Sequence, residues 1–274
     1  MAERFLVPVD GAELAGEDTG PGAGATPPVV LLHGLTATRR YVVMGSRLLE
    51  REGHRVISYD ARGHGESGWG VERCDYTLLA DDLARVMDAR GVERAVLAGA
   101  SMGAHTLLNF ALNQPDRAAG LVVITPAYDG RLGDLERWAR LAAGLRAGGI
   151  DGFVEAYNLA AVDPQLRDTV EKVIRQRMAK HRDLGAMVSA LEQIPSSRPF
   201  GALDDLAGLN VACTVIASSD RADPEHPQQV GESYAARIPG AQLRLDEPGK
   251  SPVAWQGSQV ARVIAELLAR VSAG

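Results

Sequence analysis

The sequence has only two cysteines, Cys74 and Cys213, too few for a disulfide framework or a four-ligand zinc site. Cys213 lies in an apolar run and reads as a core thiol, whereas Cys74 lies in a polar stretch. No run approaches the roughly 20 apolar residues that span a bilayer. Met1 to Leu6 lacks the apolar centre of a secretory signal. These absences predict a cytoplasmic protein with no membrane partner. Basic clusters are missing too: the formal net charge is -6, and Arg39-Arg40 is the only adjacent basic pair, which argues against nucleic acid. No G-x-G-x-x-G directly joins an apolar run to a helical stretch and no metal-ligand set is present, so no cofactor is expected. Aromatic residues are sparse, at 5%.

What the chain does have is alternation. An apolar run at Val29 to Leu32, then others at 55–59, 95–98 and 121–125, read as strands buried on both faces. Between them lie stretches of helical period at 41–52, 77–90 and 102–113. In the second of these, Leu79, Leu83, Val86 and Met87 form the apolar side and leave Asp81, Asp82 and Arg85 for the wet side. Thr77 suits its N-cap and Gly91 its stop. Residues 4–18 predict a hairpin around Asp10-Gly11, at an antiparallel edge. Further strands are expected at 211–217 and 241–245, and a final helix at 253–271. The fold class is therefore α/β, with a mostly parallel sheet flanked by helices.

Residues 127–208 break this pattern, a span far longer than an ordinary α/β connection. Yet Leu135, Trp138, Leu141 and Leu145, then Val170, Val173, Ile174 and Met178, recur at helical spacing. The expected organisation is a core of residues 1–126 and 209–274 carrying a helical cap at 127–208. The cap serves either as a lid that excludes water or as a second packing layer.

The strongest chemical signal is Gly99-Ala100-Ser101-Met102-Gly103, a G-x-S-x-G between an apolar strand and a helical stretch. That context presents a serine hydroxyl on a sharp turn above the carboxyl ends of the strands, where open α/β sheets bind ligands. It also aims the first amides of the following helix at whatever the serine attacks. The Met102 amide is one oxyanion donor on this reading. The second is the Leu35 amide, on the loop His33-Gly34-Leu35 that follows the first buried strand.

His33-Gly34, the run from Asp60 to Ser67 and the Ser101 elbow, in this order and spacing, resemble the α/β-hydrolase superfamily, over nearly all the chain outside 127–208. The likeness is to its lid-bearing esterase, C–C hydrolase and haloperoxidase-like branch. It implies hydrolysis of an ester or related acyl bond through an acyl-enzyme, in the order serine, acid, histidine. Asp220 stands at the family's acid position, with Asp223 and Asp129 as alternatives.

At the family's histidine position this sequence has Lys250, within Pro248-Gly249-Lys250-Ser251-Pro252. An ammonium near its ordinary pKa of about 10.4 cannot accept a serine proton at neutral pH. Lys250 is thus either a strongly depressed base or an ion-pair partner of Asp220. Of the six histidines, His33 reads as loop-ordering, His54 and His181 as solvent-facing, and His105 as carried down into the sheet packing. His64 lies in the loop after the second buried strand. His226 borders the site six residues after Asp220, so the base is open between His226, Lys250 and none. Three functions are compatible: an ester hydrolase acting on a small apolar acyl substrate, a lyase, isomerase or cyclase using the same pocket, and a non-catalytic binder. Trp138, Phe153 and Tyr157 are expected to line the pocket, and oligomeric state is not legible.

Overall fold

A computed structural model of the chain describes residues 2–22, 26–219, 225–246, 255 and 257–273. The hairpin forms as read: β1 (Glu3–Val9) and β2 (Ala12–Asp18) pair antiparallel, with Val9 opposite Ala12 across Asp10-Gly11. The buried runs become β3 (Val29–Leu32), β4 (Val56–Tyr59), β5 (Ala95–Ala100) and β6 (Ala118–Ile124). Residues 213–217 and 242–245 form β7 (Cys213–Ala217) and β8 (Gln242–Leu245). The eight strands lie in the order β1-β2-β4-β3-β5-β6-β7-β8, and only the β1–β2 and β2–β4 pairings are antiparallel.

The helices are α1 (Leu48–Arg51), α2 (Tyr76–Ala89), α3 (Met102–Asn113), α4 (Leu135–Ala156), α5 (Arg167–Met178), α6 (Leu184–Gln193), α7 (Gln228–Arg237) and α8 (Gly257–Ser272). Strand residues alternate between two apolar layers, as the period of two demands. Val30, Leu32, Leu97, Leu121 and Val215 face α2, α3 and α7, whereas Val29, Leu31, Val96, Val122 and Ile216 face α1 and α8. Among the described residues no helix is long and apolar enough to cross a membrane.

Three local expectations are corrected. The helix expected over 41–52 is only α1, because Met44 and Gly45 take positive φ values of 45° and 75° that no α-helix accommodates. The N-cap of α2 is Asp75 rather than Thr77: its carboxylate accepts the Leu78 amide at 3.0 Å. Asp82, expected on the wet side, is buried against Arg62, which holds it through Nε at 2.9 Å and Nη2 at 2.7 Å. The same guanidinium donates to the Asp10 and Trp69 carbonyls, so one side chain ties the hairpin turn and the loop after β4 to α2. Unpairing either buried charge would cost roughly 3–5 kcal/mol.

Between β6 and β7 the chain builds α4, α5 and α6. A run at helical spacing does not show that α4 folds back on itself at Gly148-Gly149, where Gly149 has φ 59°. Gly144 then lies so close to the Gly152 carbonyl that no Cβ fits at either position. The apolar side of these helices, including Leu141, Leu145, Phe153, Ile174, Met187 and Leu191, joins Ala61, Leu79 and Met102 of the sheet layer in one core. Phe153, expected in the pocket wall, is buried there. Cys74 is buried as well, with its amide on Gln193 Oε1 at 2.8 Å.

Candidate active site

Ser101 is the hinge between β5 and α3, at φ 51° and ψ -111°, a strained conformation for a non-glycine residue. The turn closes because its flanks carry no side chains. A Cβ on Gly99 would enter the backbone of Gly103, and a Cβ on Gly103 would enter the Leu32 carbonyl. The cavity beneath it, between His33, Met102 and Thr106, is only about 10 Å³, room for at most one water. Gly103→Ala is therefore expected to destabilise the chain by roughly 1–3 kcal/mol through overpacking and to lower any Ser101-dependent activity. Thermal melts read beside ester hydrolysis check this; unchanged melting and activity would contradict a closed turn.

The partner of the serine comes from the loop after β7. His226 Nε2 lies 2.8 Å from Ser101 Oγ, across 125 positions of sequence. Pro227, the N-cap of α7, follows it at once. Neighbouring contacts hold this loop. Ser219 places its amide and hydroxyl on the Asp246 carboxylate at 2.9 and 3.0 Å, joining the loop after β7 to the end of β8. Trp255 Nε1 donates to the Ala217 carbonyl at 2.9 Å. Glu225, beside His226, forms an ion pair with Arg137 of α4. That guanidinium lies 4.6 Å from the ring centre of Trp138 and 5.4 Å from that of Tyr157, so both aromatics anchor the charge that pins the histidine loop. Asp220, Asp223 and Lys250 lie outside the described residues. Asp129 takes the amide and guanidinium of Arg131, at 3.1 and 3.0 Å.

Of the two residues expected to supply oxyanion donors, Met102 follows the serine directly and Leu35 follows Gly34 in the loop after β3. Met102 opens α3, so its amide belongs to the unsatisfied first turn of that helix. Gly34 packs against the elbow: a Cβ there would lie 3.4 Å from Ser101 Cβ, which places the next residue, Leu35, at the edge of the site.

Four other histidines are buried: His33, His64, His105 and His181. His181, expected in solvent, is the correction among them. An amide can only donate, so each of these rings has one bare nitrogen whose partner is an N–H. His33 Nε2 accepts from Ala61, His64 Nε2 from Thr36, His105 Nε2 from Ala127 and Tyr128, and His181 Nδ1 from Gly65. The opposite nitrogens of His33, His64 and His181 donate to the carbonyls of Gly34, Arg62 and Thr36. Burial holds all four rings below the ordinary imidazole pKa, His105 at about 3 and His181 at about 4; for His105 the nearby His226 adds to the effect.

Between pH 6.5 and about 4 the unfolded chain binds protons that the folded His105 and His181 rings refuse, so stability rises with pH. On acidification from pH 7 to 5, unfolding free energy should fall by up to ~1.4 kcal/mol per pH unit for each of these two rings. Urea midpoints at the two pH values measure it, and equal midpoints would overturn the neutral burial.

Among the described residues no group of three or more His, Cys, Asp or Glu could hold a metal ion. The Arg137–Glu225 pair and the contacts of His181 were not legible in the sequence, because each joins residues far apart in the chain and neither carries a local spacing.

A family model described as alpha/beta hydrolase fold matches residues 27–257. The chain is 31% identical over 232 residues to the dihydrolipoyllysine-residue acetyltransferase component of the acetoin cleaving system of Pseudomonas putida, covering 80% of this chain and 59% of that protein's length. Its structure is similar to that of a thermophilic esterase from Thermogutta terrifontis solved with malate bound, at TM-score 0.80 and 28% identity over 98% of this chain and 99% of the other. It is also similar to an enol-lactonase from Burkholderia xenovorans LB400, at TM-score 0.73 and 25% identity over 98% of each chain.

Proposed function

Since this chain belongs to the α/β-hydrolase fold family, we propose that it hydrolyses carboxylic esters or related acyl bonds, with Ser101 as nucleophile and His226 as general base. The esterase and the enol-lactonase among its structural neighbours support an enzyme of the hydrolase class. The observation that carries the reaction and its residues is the 2.8 Å approach of His226 Nε2 to Ser101 Oγ. A hydroxyl is a weak nucleophile until a base takes its proton as it attacks. A neutral imidazole at hydrogen-bond distance has both the geometry and the chemistry for that step.

In the mechanism, Oγ attacks the acyl carbon while its proton passes to His226 Nε2. The developing oxyanion is met by the Met102 and Leu35 amides. The imidazolium returns the proton to the leaving alcohol, which departs and leaves an acyl-Ser101 ester. Water then attacks that ester by the same sequence in reverse, releasing the acid and restoring the free serine. Asp220, with Asp223 as alternative, is kept as the carboxylate that orients His226 through Nδ1. Lys250 has no proton-transfer role in this scheme, which removes the need for a strongly depressed ammonium.

The substrate is taken to be a small or medium apolar acyl ester, admitted beneath a cap formed by residues 127–208. An esterase and an enol-lactonase among the structural neighbours act on bonds of this type, which supports the reading. The test is turnover of an activated short-chain ester with a burst of the leaving group, together with fluorophosphonate labelling mapped to Ser101. Absence of both would overturn the proposal.

A further inference from the structure

The loop that supplies the second oxyanion donor is not held by the sheet layer alone. Thr36, next to Leu35, sits at φ 64°, a conformation that a β-branched residue adopts only when its surroundings impose it. Three side chains bind around it. From α5, Arg177 Nη2 donates to the Leu35 carbonyl at 3.0 Å and to Thr36 Oγ1 at 2.8 Å. Just beyond α5, His181 Nε2 donates to the Thr36 carbonyl at 3.0 Å, while its Nδ1 accepts the Gly65 amide at 2.9 Å. From the loop after β4, His64 Nε2 accepts the Thr36 amide at 3.3 Å. The backbone groups of Thr36, and the carbonyl of Leu35 before it, are all engaged by side chains, two of them from the segment between β6 and β7.

We infer that Arg177 and His181 are positioning residues: they lock the Leu35–Thr36 peptide so that the Leu35 amide points at the acyl oxygen, making the oxyanion hole a joint product of sheet loop and cap. The inference rests on the reading of Leu35 as an oxyanion donor. Its physical basis is direct. The Leu35 N–H belongs to the Gly34–Leu35 peptide, whose carbonyl is held by His33 Nδ1 at 2.8 Å and the Ala37 amide at 3.0 Å, and its angle to the Leu35–Thr36 peptide is set by the two dihedrals of Leu35. A guanidinium fork on the Leu35 carbonyl and the Thr36 hydroxyl fixes two points on that unit at once. The Arg177 guanidinium also lies 5.8 Å from the Tyr41 ring centre, so the side chain is braced on its other side by the loop after β3. If the cap lifts, the fork leaves, and the Leu35–Thr36 peptide keeps only the His64 contact on its Thr36 amide, so the Leu35 amide is held less tightly. Acyl transfer would then be slower beneath a raised cap than beneath a seated one.

The test is Arg177→Met, which keeps an unbranched apolar stem on Tyr41 and deletes the fork, with Arg177→Lys as the conservative variant. Steady-state kinetics on an activated ester and the affinity of a trifluoromethyl ketone, whose serine adduct bears the oxyanion, are read together with thermal melting. Deleting one donor outright costs about 10²–10³ in kcat, so loosening it in Arg177→Met should lower kcat roughly 10–100-fold. KM should stay within about threefold, and ketone affinity should fall in step with kcat/KM. Arg177→Lys, which can reach one acceptor but not grip both, should recover part of the loss. Unchanged kcat and ketone affinity in Arg177→Met, or a loss confined to KM, would overturn the inference. Should Arg177→Met fail to fold, Arg177→Lys decides alone: a kcat and ketone affinity equal to wild type would refute the role. Failure of the underlying functional reading is distinguishable, since the wild-type chain would then neither hydrolyse the ester nor bind the ketone.

Discussion

Ser101→Ala is expected to leave the fold intact and to lower kcat for an activated ester by roughly 10⁴-fold or more, with fluorophosphonate labelling abolished. The fold should survive because alanine keeps the Cβ and removes only Oγ, while the Ser101 amide still reaches the Ile124 carbonyl at 2.9 Å and its carbonyl still accepts from the His105 amide at 3.0 Å. The activity should fall that far because no other group stands at the elbow to form the acyl-enzyme. The oxyanion amides remain in the variant and would sustain only their own residual acceleration. The measurement also separates reaction classes. An enzyme that stabilises an enolate or alkoxide with the same amides, as a lyase, isomerase or cyclase would, keeps most of its activity without Oγ. Retention of more than about a tenth of kcat in Ser101→Ala would sink the acyl-enzyme mechanism.

The second large effect belongs to His226. General acid–base catalysis contributes about 10²–10⁴, so His226→Ala should lower kcat by that factor with KM little changed. Lys250→Met should leave kcat within a few-fold of wild type. The pair of variants discriminates between the two bases more sharply than either alone, and the pH profile gives an independent reading: the acid limb should lie in the imidazole range rather than in the ammonium range. Ser101 and His226 act as one unit, so the double variant Ser101→Ala/His226→Ala should be no slower than Ser101→Ala by itself. A wild-type-like His226→Ala together with an inactive Lys250→Met would reverse the assignment. Glu225 is a useful accessory probe, because its ion pair with Arg137 holds the loop without touching Ser101.

The sheet and the elbow were legible in the residues themselves, for local reasons. A strand buried on both faces needs a continuous apolar run, so Val29 to Leu32 and the segments that became β4, β5 and β6 announced themselves. The elbow was legible because a strand-to-helix turn this tight has no space at its flanks, and Gly99 and Gly103 meet that requirement within five residues. α3 was legible to its first residue, since the turn that presents Ser101 is also the start of the helix. The errors were local readings overruled from a distance. Asp82 has the helical position of a solvent-facing carboxylate, yet Arg62, twenty residues earlier, draws it into the core. His181 follows a basic helix but plugs into the loops after β3 and β4.

The partner of the serine was beyond the sequence for the same reason on a larger scale. A serine and a glycine flank determine each other through covalent geometry, whereas a serine and a histidine 125 residues apart are joined only by the spatial order of strands. Strands β7 and β8 run parallel and so end at the same edge of the sheet, and the residues that follow each in the sequence supplied a candidate, His226 and Lys250. What the sequence determined was a sheet, a strained turn and a hydroxyl lifted above it, all products of nearest-neighbour sterics and burial. What the tertiary structure decided was which side chain stands 2.8 Å from that hydroxyl, because only the packing of β7 beside β6, with the Ser219–Asp246 and Glu225–Arg137 tethers on the loop that follows, carries His226 to Ser101.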